Sequence, residues 1–106
     1  MENKRSSPRI LTEFDVTCQG EKEPHVKASG KTFNISFAGI GVKMEKAFKP
    51  DDEVLITIRK SPWSRAITIK GQVVWQAEMP GHYESLAGIR FTEDSSQKLD
   101  SLINSM

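Results

Sequence analysis

Apolar and polar residues alternate along most of the chain, which is the pattern of half-buried β-strands. In the first such stretch the positions of one parity are occupied by Ile10, Thr12, Phe14, Val16 and Cys18. Similar runs cover residues 26–35, 40–44, 53–59, 67–75 and 86–91. The run at 53–59 contains VLITI and is rich in β-branched residues, which favour strands. The pattern therefore predicts six or seven strands.

Polar segments separate these runs and predict turns or loops at residues 20–25, 34–39, 48–52, 60–64 and 79–82. Gly71 interrupts the longest run, which predicts a bulge or bend there. After the last strand the period changes, because Leu99, Leu102 and Ile103 share one face of a helix. Asp94 and Gln97 have the spacing of a capping box at the start of that helix.

The expected fold is all-β, an antiparallel β-barrel of six or seven strands followed by a short C-terminal α-helix. A closed barrel is favoured because it leaves no exposed strand edge. We expect a single domain over residues 1–106, in which residues 1–9 form a flexible arm, 10–92 the barrel and 94–104 the helix.

Composition and charge are those of one small globular domain. The chain has 106 residues, of which 37% are hydrophobic and 27% charged, so it can form one core. The net charge of +1 provides no global attraction to nucleic acid or membrane. Cys18 is the only cysteine and the N-terminus has no signal-peptide pattern, which together favour a cytoplasmic protein.

Motifs for catalysis or metal binding are missing from the sequence. His25 and His82 lie in predicted loops, without the spacing of a zinc motif. Residues 39–44 begin like a dinucleotide-binding loop, but Met44 replaces the third glycine and a strand follows instead of a helix. Residues 51–53 are acidic but lack a calcium-loop pattern. We expect no enzyme activity, no metal and no cofactor.

The N-terminal segment KRSSPR places Arg5 and Arg9 in an RxxxR motif. Pro8 disfavours a helical conformation for Ser7, so the two arginines should be spread along an extended or turned arm. A guanidinium group can bind phosphate with two hydrogen bonds, and it can read the O6 and N7 atoms of guanine. The motif is therefore a candidate site for a guanine nucleotide, although a basic tail has the same composition.

A second motif, NxSxxG, comprises Asn34, Ser36 and Gly39 between two predicted strands. These residue types suit a tight turn, since Asn tolerates positive φ, Ser caps backbone amides and Gly supplies a left-handed corner. They also suit a binding site, because Asn and Ser would place polar groups at the barrel rim. Gly would let a ligand approach the backbone closely.

The two motifs, 25 residues apart and in this order, resemble those of the PilZ domain family. The GQVVW segment at 71–75, the LAGIRF segment at 86–91 and the final helix are similar as well. The resemblance implies a six-stranded β-barrel that binds the bacterial second messenger cyclic di-GMP. It also implies that Arg5 and Arg9 hold guanine faces and phosphates, that Asn34 and Ser36 meet a guanine edge, and that Gly39 keeps the turn open.

By the same resemblance, Lys4 and Trp75 are further candidates for contacts beside the ligand, although the inward parity of Trp75 favours a core position. The implied function is that of a receptor that passes the cyclic di-GMP signal to a protein partner. Two alternatives stay open at this point. One is a small barrel that binds single-stranded nucleic acid, and the other is a structural barrel without a ligand.

Overall fold

The computed structural model describes residues 13–45, 48–61, 63–78 and 85–104. Six strands form where the hydrophobic alternation predicts them. They are β1 (Asp15–Gly20), β2 (Lys27–Ile35), β3 (Gly39–Met44), β4 (Glu53–Arg59), β5 (Ile67–Glu78) and β6 (Ser85–Phe91). The helix α1 (Ser96–Asn104) follows β6. The main differences from the predicted bounds are in β5, which continues to Glu78, and in β1, which begins at Asp15.

The strands close into an antiparallel barrel in the order β1-β2-β3-β6-β5-β4. Each strand is hydrogen-bonded on both sides, so the described sheet has no exposed edge. Most consecutive strands are hairpin neighbours, but the connection from β3 to β4 crosses one end of the barrel. The expected six-stranded antiparallel barrel with a short C-terminal helix is confirmed.

Side chains of one parity fill the interior of the barrel. In β4, for example, Val54, Ile56 and Ile58 are fully buried, while the residues between them face outward. Cys18 is fully buried among these apolar residues, and burial raises the pKa of its thiol to about 12. The cysteine is therefore protonated at neutral pH and serves as a small core residue.

The two ends of the barrel are covered differently. Phe48, in the β3–β4 connection, is buried at the end where β4 begins. Leu99 and Leu102 of α1 are buried at the opposite end, where the Nζ of Lys98 donates to the carbonyl of Thr68 near the start of β5. No helix among the described residues is long and apolar enough to span a lipid bilayer.

The helix begins differently from the predicted capping box. Its first helical hydrogen bond runs from the Leu99 N–H to the Ser95 carbonyl at 2.9 Å, so Ser95 is the N-cap residue. The Asp94 carboxylate accepts hydrogen bonds from the Ser96 backbone N–H and hydroxyl. These bonds lower the pKa of Asp94. The prediction of a box between Asp94 and Gln97 is therefore wrong, because Asp94 closes a local turn two residues ahead.

Candidate functional site

Four residues on neighbouring strands form a row across the outer wall of the barrel. Asn34 of β2 pairs with Gly41 of β3, Gly41 pairs with Gly88 of β6, and Gly88 pairs with Trp75 of β5. The flanking residues Ile40 and Ile89 face the core, so the two glycine positions face outward. The wall therefore has a hollow where two adjacent strands carry no side chains.

A bulge on each outer strand shapes this hollow. The pairing register shifts between Thr32 and Asn34 in β2, and between Val73 and Trp75 in β5. Each bulge places two successive side chains outward, and Val74 and Trp75 are accordingly 49% and 44% exposed. The predicted core position of Trp75 is therefore wrong. Of the bulge or bend predicted at Gly71, the bulge is absent there, since Gly71 pairs regularly and the register shift comes three residues later.

Two aromatic rings lie over the two glycines. A Cβ atom on Gly41 would lie 2.6 Å from the Phe33 ring, and one on Gly88 would lie 2.1 Å from the Trp75 Nε1 atom. No side chain larger than hydrogen fits beneath these rings without moving them. Phe33 is 37% exposed, so both rings also present a face or edge to solvent.

The hollow is an open cavity of about 440 Å³. It is lined by Phe33, Asn34, Ser36, Ala38, Gly39, Ile40, Gly41, Val74, Trp75, Gly88, Ile89 and Arg90. The three residues of the NxSxxG motif and Trp75 thus border one cavity. Its size and its mixture of apolar faces with a few polar groups are those of a small-molecule site.

Ser36 is occupied by the turn between β2 and β3. Its hydroxyl oxygen accepts hydrogen bonds from the backbone N–H groups of Ala38 and Gly39, at 3.2 and 3.3 Å, and lies 3.4 Å from the Gly39 carbonyl. The Ser36 backbone N–H donates to the same carbonyl at 2.9 Å. Ser36 therefore shapes the rim of the cavity.

The side chain of Asn34 is in a different situation. It is half-buried beside Gly41, whose Cβ position lies 3.0 Å from the Asn34 Oδ1 atom. Among the residues that the structure describes, none forms a hydrogen bond with this amide. The amide carries two N–H donors and a carbonyl acceptor, so it can bind the edge of a base.

Gly39 is needed for space, and its backbone is not in the left-handed region. A Cβ atom on Gly39 would lie 2.5 Å from the carbonyl oxygen of Ile89 on β6. The predicted left-handed corner at Gly39 is thus wrong. The close approach of two backbones is what requires a glycine at this position.

Among the described residues, Arg90 is the basic side chain that borders the cavity. No motif in the sequence had indicated it. It lies opposite Gly39 in the β3–β6 ladder, and its Nη2 atom donates to the Gln72 Oε1 atom at 2.7 Å. Its side chain is exposed, so the remaining guanidinium N–H groups can reach an anion. The signal in the sequence was weak because Arg90 is adjacent to the motif only through strand pairing.

Arg5, Arg9 and Lys4 lie outside the described residues. What the structure does show is the position of the strand that follows them. β1 begins at the barrel end that carries the β2–β3 turn, since Asp15 pairs with Lys31 in β2 and with Arg59 at the end of β4. In the described part of the chain, no group of three or more His, Cys, Asp or Glu residues could hold a metal ion.

Several solved structures have a fold similar to that of this chain. The PilZ domain of YcgR from Escherichia coli, solved with c-di-GMP, aligns with a TM-score of 0.75 and 16% identity over 97% of this chain and 91% of that domain. The inhibitor of motility MotI from Bacillus subtilis aligns with a TM-score of 0.74 and 19% identity over 98% of this chain. The chain spans 50% of the MotI length.

The PilZ domain of CeSA from a cellulose-synthesizing bacterium aligns with a TM-score of 0.61 and 21% identity over 92% of both chains. No curated protein sequence matches the chain significantly. The family model of the PilZ domain, however, matches residues 3–106. This match covers nearly the whole chain, together with all six strands and the helix of the barrel. The chain therefore belongs to the PilZ domain family.

Proposed function

We propose that this chain is a receptor for cyclic di-GMP and that the ligand binds in the cavity beside the NxSxxG turn. The observation that supports this most directly is the position of Asn34. Its unengaged amide borders the glycine-floored hollow, next to two partly exposed aromatic rings. The family and the YcgR domain solved with c-di-GMP support the same ligand.

Each part of the ligand has a chemical match in the proposed site. The Asn34 amide can donate to and accept from a guanine edge, and the rings of Phe33 and Trp75 can contact the face of a base. Arg90 is placed to bind a phosphate or a guanine O6/N7 edge. Arg5 and Arg9 would complete the site from the N-terminal side, with Lys4 beside them.

The length of chain between Arg9 and the barrel is compatible with this arrangement. Arg9 precedes Glu13, the first described residue, by four positions, and four residues span at most about 14 Å. The barrel end at which β1 begins is also the end that carries the turn of Ser36 and Gly39. A single ligand could therefore contact both motifs.

We propose that the domain has no catalytic reaction of its own and that it acts through a protein partner. The described residues form one barrel with one helix, and those that line the proposed site include no His, Cys, Asp, Glu or Lys that could activate a nucleophile. Binding would change the surface around the β2–β3 turn and the arm. A partner protein that recognises the changed surface would then carry the signal.

Calorimetric titration of the chain with cyclic di-GMP is the primary test, with cyclic di-AMP as the matched competitor. We expect cyclic di-GMP to bind more tightly, because guanine presents the O6 and N7 acceptors to arginine whereas adenine presents an N6 donor. Equal affinities for the two nucleotides would contradict the proposed recognition of guanine by arginine. No binding of either would overturn the proposed function.

Arg90→Ala tests the proposed site within the described structure. We expect affinity for cyclic di-GMP to fall by about tenfold or more, the loss expected for a charge-assisted hydrogen-bond pair. Lys27→Ala is the matched control, since it also removes one positive charge from an exposed residue. Lys27 is the first residue of β2, whereas Asn34 of the proposed site lies near the last. Equal effects of the two variants would mean that only the net charge matters.

The exposed aromatic rings beside Arg90 also suit single-stranded nucleic acid, which stacks its bases on such platforms. An oligonucleotide titration at several salt concentrations separates the two functions. Nucleic-acid binding would weaken steeply with salt and would be displaced poorly by cyclic di-GMP. We expect negligible oligonucleotide binding, because Arg90 is the one basic residue among the described residues of the cavity.

A further inference from the structure

The loop between β4 and β5 carries the most exposed large apolar side chain in the described structure. Trp63 is 93% exposed, whereas the other exposed large apolar residues have 37% to 49% of their surface in solvent. An indole in this position adds nothing to the core and leaves its apolar surface in water. The barrel itself therefore gives no reason for a tryptophan at this position.

Several hydrogen bonds connect the described residues of the loop that presents Trp63. The Ser64 backbone N–H donates to the Ser61 carbonyl at 3.1 Å, and the Ser61 N–H donates to the Ser64 hydroxyl at 2.9 Å. The Ser64 hydroxyl in turn donates to the Ser61 carbonyl at 2.9 Å. Arg59 adds a bond from its Nη1 atom to the Ser64 carbonyl at 2.8 Å. The indole is thus displayed on a preorganised turn.

The surroundings of this turn are basic. Residues 59–66 include Arg59, Lys60 and Arg65 and no acidic residue. Arg65 is exposed, and within the described ranges it forms no hydrogen bond or ion pair. The nearest element, α1, contributes Asp100, and both Asp100 and Lys60 already have an interaction of their own. The carboxylate of Asp15, across from Arg59 in β1, is bound to Lys31 at 2.8 Å.

A groove of about 490 Å³ separates this loop from the helix. It is lined by Lys60, Ser61, Trp63, Ser64, Arg65, Ile67, Ser101 and Leu102. We define the Trp63 surface as the exposed turn together with this groove. The Trp63 surface combines an exposed apolar side chain, an adjacent groove and positively charged residues.

We propose that the Trp63 surface docks a protein partner whose own surface has an apolar pocket bordered by carboxylates. Tryptophan and arginine are the side chains that contribute most often to binding hot spots. A preorganised turn loses little conformational entropy on binding, so the burial of the indole contributes more fully to affinity. The carboxylates of the partner would pair with Arg65.

Other occupants fit the surface less well. A lone indole with three cations falls short of the polybasic clusters or paired anchors that hold proteins on membranes. Single-stranded nucleic acid needs a series of stacking platforms, and Trp63 is the one aromatic side chain among the described residues that line the groove. A second copy could offer the acidic cavity near Glu23 and Asp51, but that cavity lies at the opposite end of β4. Such head-to-tail contacts would form rings or open chains of many copies.

This docking role rests on the proposed function, because the Trp63 surface is where a cyclic di-GMP receptor would contact its protein partner. The test begins in cells of the organism that carries the gene, with a photoreactive benzoylphenylalanine incorporated at position 63. We expect light to join the chain to one predominant protein. Adducts formed mainly with lipid, nucleic acid or a second copy would overturn the proposal, as would the absence of adducts.

The joined protein is then purified, and its affinity for the wild-type chain and three variants is measured by calorimetry. We expect Trp63→Ala to weaken binding by roughly thirtyfold and Arg65→Ala by roughly fivefold. Lys27→Ala, at the other end of the barrel, should have no effect. Equal affinities of the wild-type chain and Trp63→Ala would overturn the proposal.

Titration of the same variants with cyclic di-GMP separates this inference from the proposed function. We expect Trp63→Ala to bind the nucleotide as the wild-type chain does, because Trp63 does not line the cavity beside Asn34. Loss of nucleotide affinity in Trp63→Ala would assign the loop to the ligand site and overturn the docking role. If neither the wild-type chain nor any variant binds the nucleotide, the proposed function fails. The affinities for the joined protein still decide whether the Trp63 surface docks a partner.

Discussion

At the scale of single residues, the two polar members of the NxSxxG motif have different roles in the structure. Ser36 caps the turn with its hydroxyl, whereas no described residue forms a hydrogen bond with the Asn34 amide, which we propose binds the ligand. We therefore expect Ser36→Ala to lower both thermal stability and affinity, with about 0.5–1.5 kcal/mol lost from the free energy of unfolding. Asn34→Ala should lower affinity while changing the melting temperature little. Similar losses of stability in both variants would contradict this division.

The glycine beneath the indole allows a second test at this scale. In Gly88→Ala the new Cβ atom would fall 2.1 Å from the Trp75 Nε1 atom, so the indole must leave its present position. We expect affinity for cyclic di-GMP to fall by about 1–3 kcal/mol, the range for a lost base–aromatic contact. The movement can be followed by Trp75 fluorescence in a Trp63→Phe background. Unchanged emission and affinity would show that the ring has no role in binding.

At this scale the sequence pointed to Asn34, Ser36 and Gly39, which border one cavity, but it predicted neither the outward position of Trp75 nor the place of Arg90 beside them. The alternation predicted a core position for Trp75 because Trp75 is two residues from the buried Val73. No sequence feature indicates that Val74 is an extra, bulged residue. Arg90 joins the site through its pairing with Gly39, which is a property of the strand register. Both failures have one cause, since bulges and register depend on partners distant along the chain.

At the scale of elements, the start of α1 is held to the barrel by an exposed carboxylate. The Glu93 side chain accepts a hydrogen bond from the Lys70 backbone N–H at 2.8 Å and lies 3.6 Å from the Lys98 Nζ atom. The hydrogen bond is the main reason that the pKa of Glu93 is lowered from its usual 4.5. A lowered pKa stabilises the folded state above pH 4.5. This stabilisation is lost as the pH falls through the folded-state pKa.

We therefore expect the melting temperature to fall on acidification below about pH 4.5. Glu93→Gln should be less stable than the wild-type chain at pH 7, and the difference should shrink in acid. Glu78→Gln, at the exposed end of β5, controls for the general loss of a negative charge. The melting temperatures of the three chains between pH 3 and 7 decide the matter. A constant difference across that range would show that Glu93 acts without its charge.

The elements themselves were the most predictable part of the fold. Period-two alternation located all six strands, because each strand has one face in the core and one in water. The helix was also found from its apolar face, but its first residue was not. The residue before the helix, Ser95, donates its hydroxyl to the Phe37 carbonyl of a different turn, and sequence spacing cannot show such a contact.

At the scale of the whole molecule, the proposed ligand joins parts of the chain that are distant in sequence. Cyclic di-GMP would connect the RxxxR segment with the β2–β3 turn, and this predicts a local change in hydrogen exchange. We expect residues 4–10 to gain protection in the complex, while Val54 to Ile58 in the interior of β4 change little. Equal protection of residues 4–10 with and without ligand would contradict the closing of the arm over the site.

The closed barrel also has a consequence for the order in which the chain folds. The β4–β5 hairpin is local, whereas the ladder between β1 and β4 pairs Asp15 with Arg59 and closes the barrel. Pairings between distant residues form slowly, because the entropy of the intervening loop is lost before the contacts stabilise it. We therefore expect the hairpin to form before the rate-limiting step and the β1–β4 ladder to form after it.

Thr57 allows this order to be measured, because it pairs with Thr17 across β1 and with Thr68 across β5. Its hydroxyl lies 3.2 Å from that of Thr68. Thr68→Ala should mainly slow refolding, and Thr17→Ala should mainly accelerate unfolding, in stopped-flow measurements over a range of urea concentrations. The opposite assignment would place closure of the barrel before formation of the hairpin. If the expected order holds, β1 separates from β4 first when the protein unfolds. The kinetic lifetime of the folded state then depends on the β1–β4 ladder.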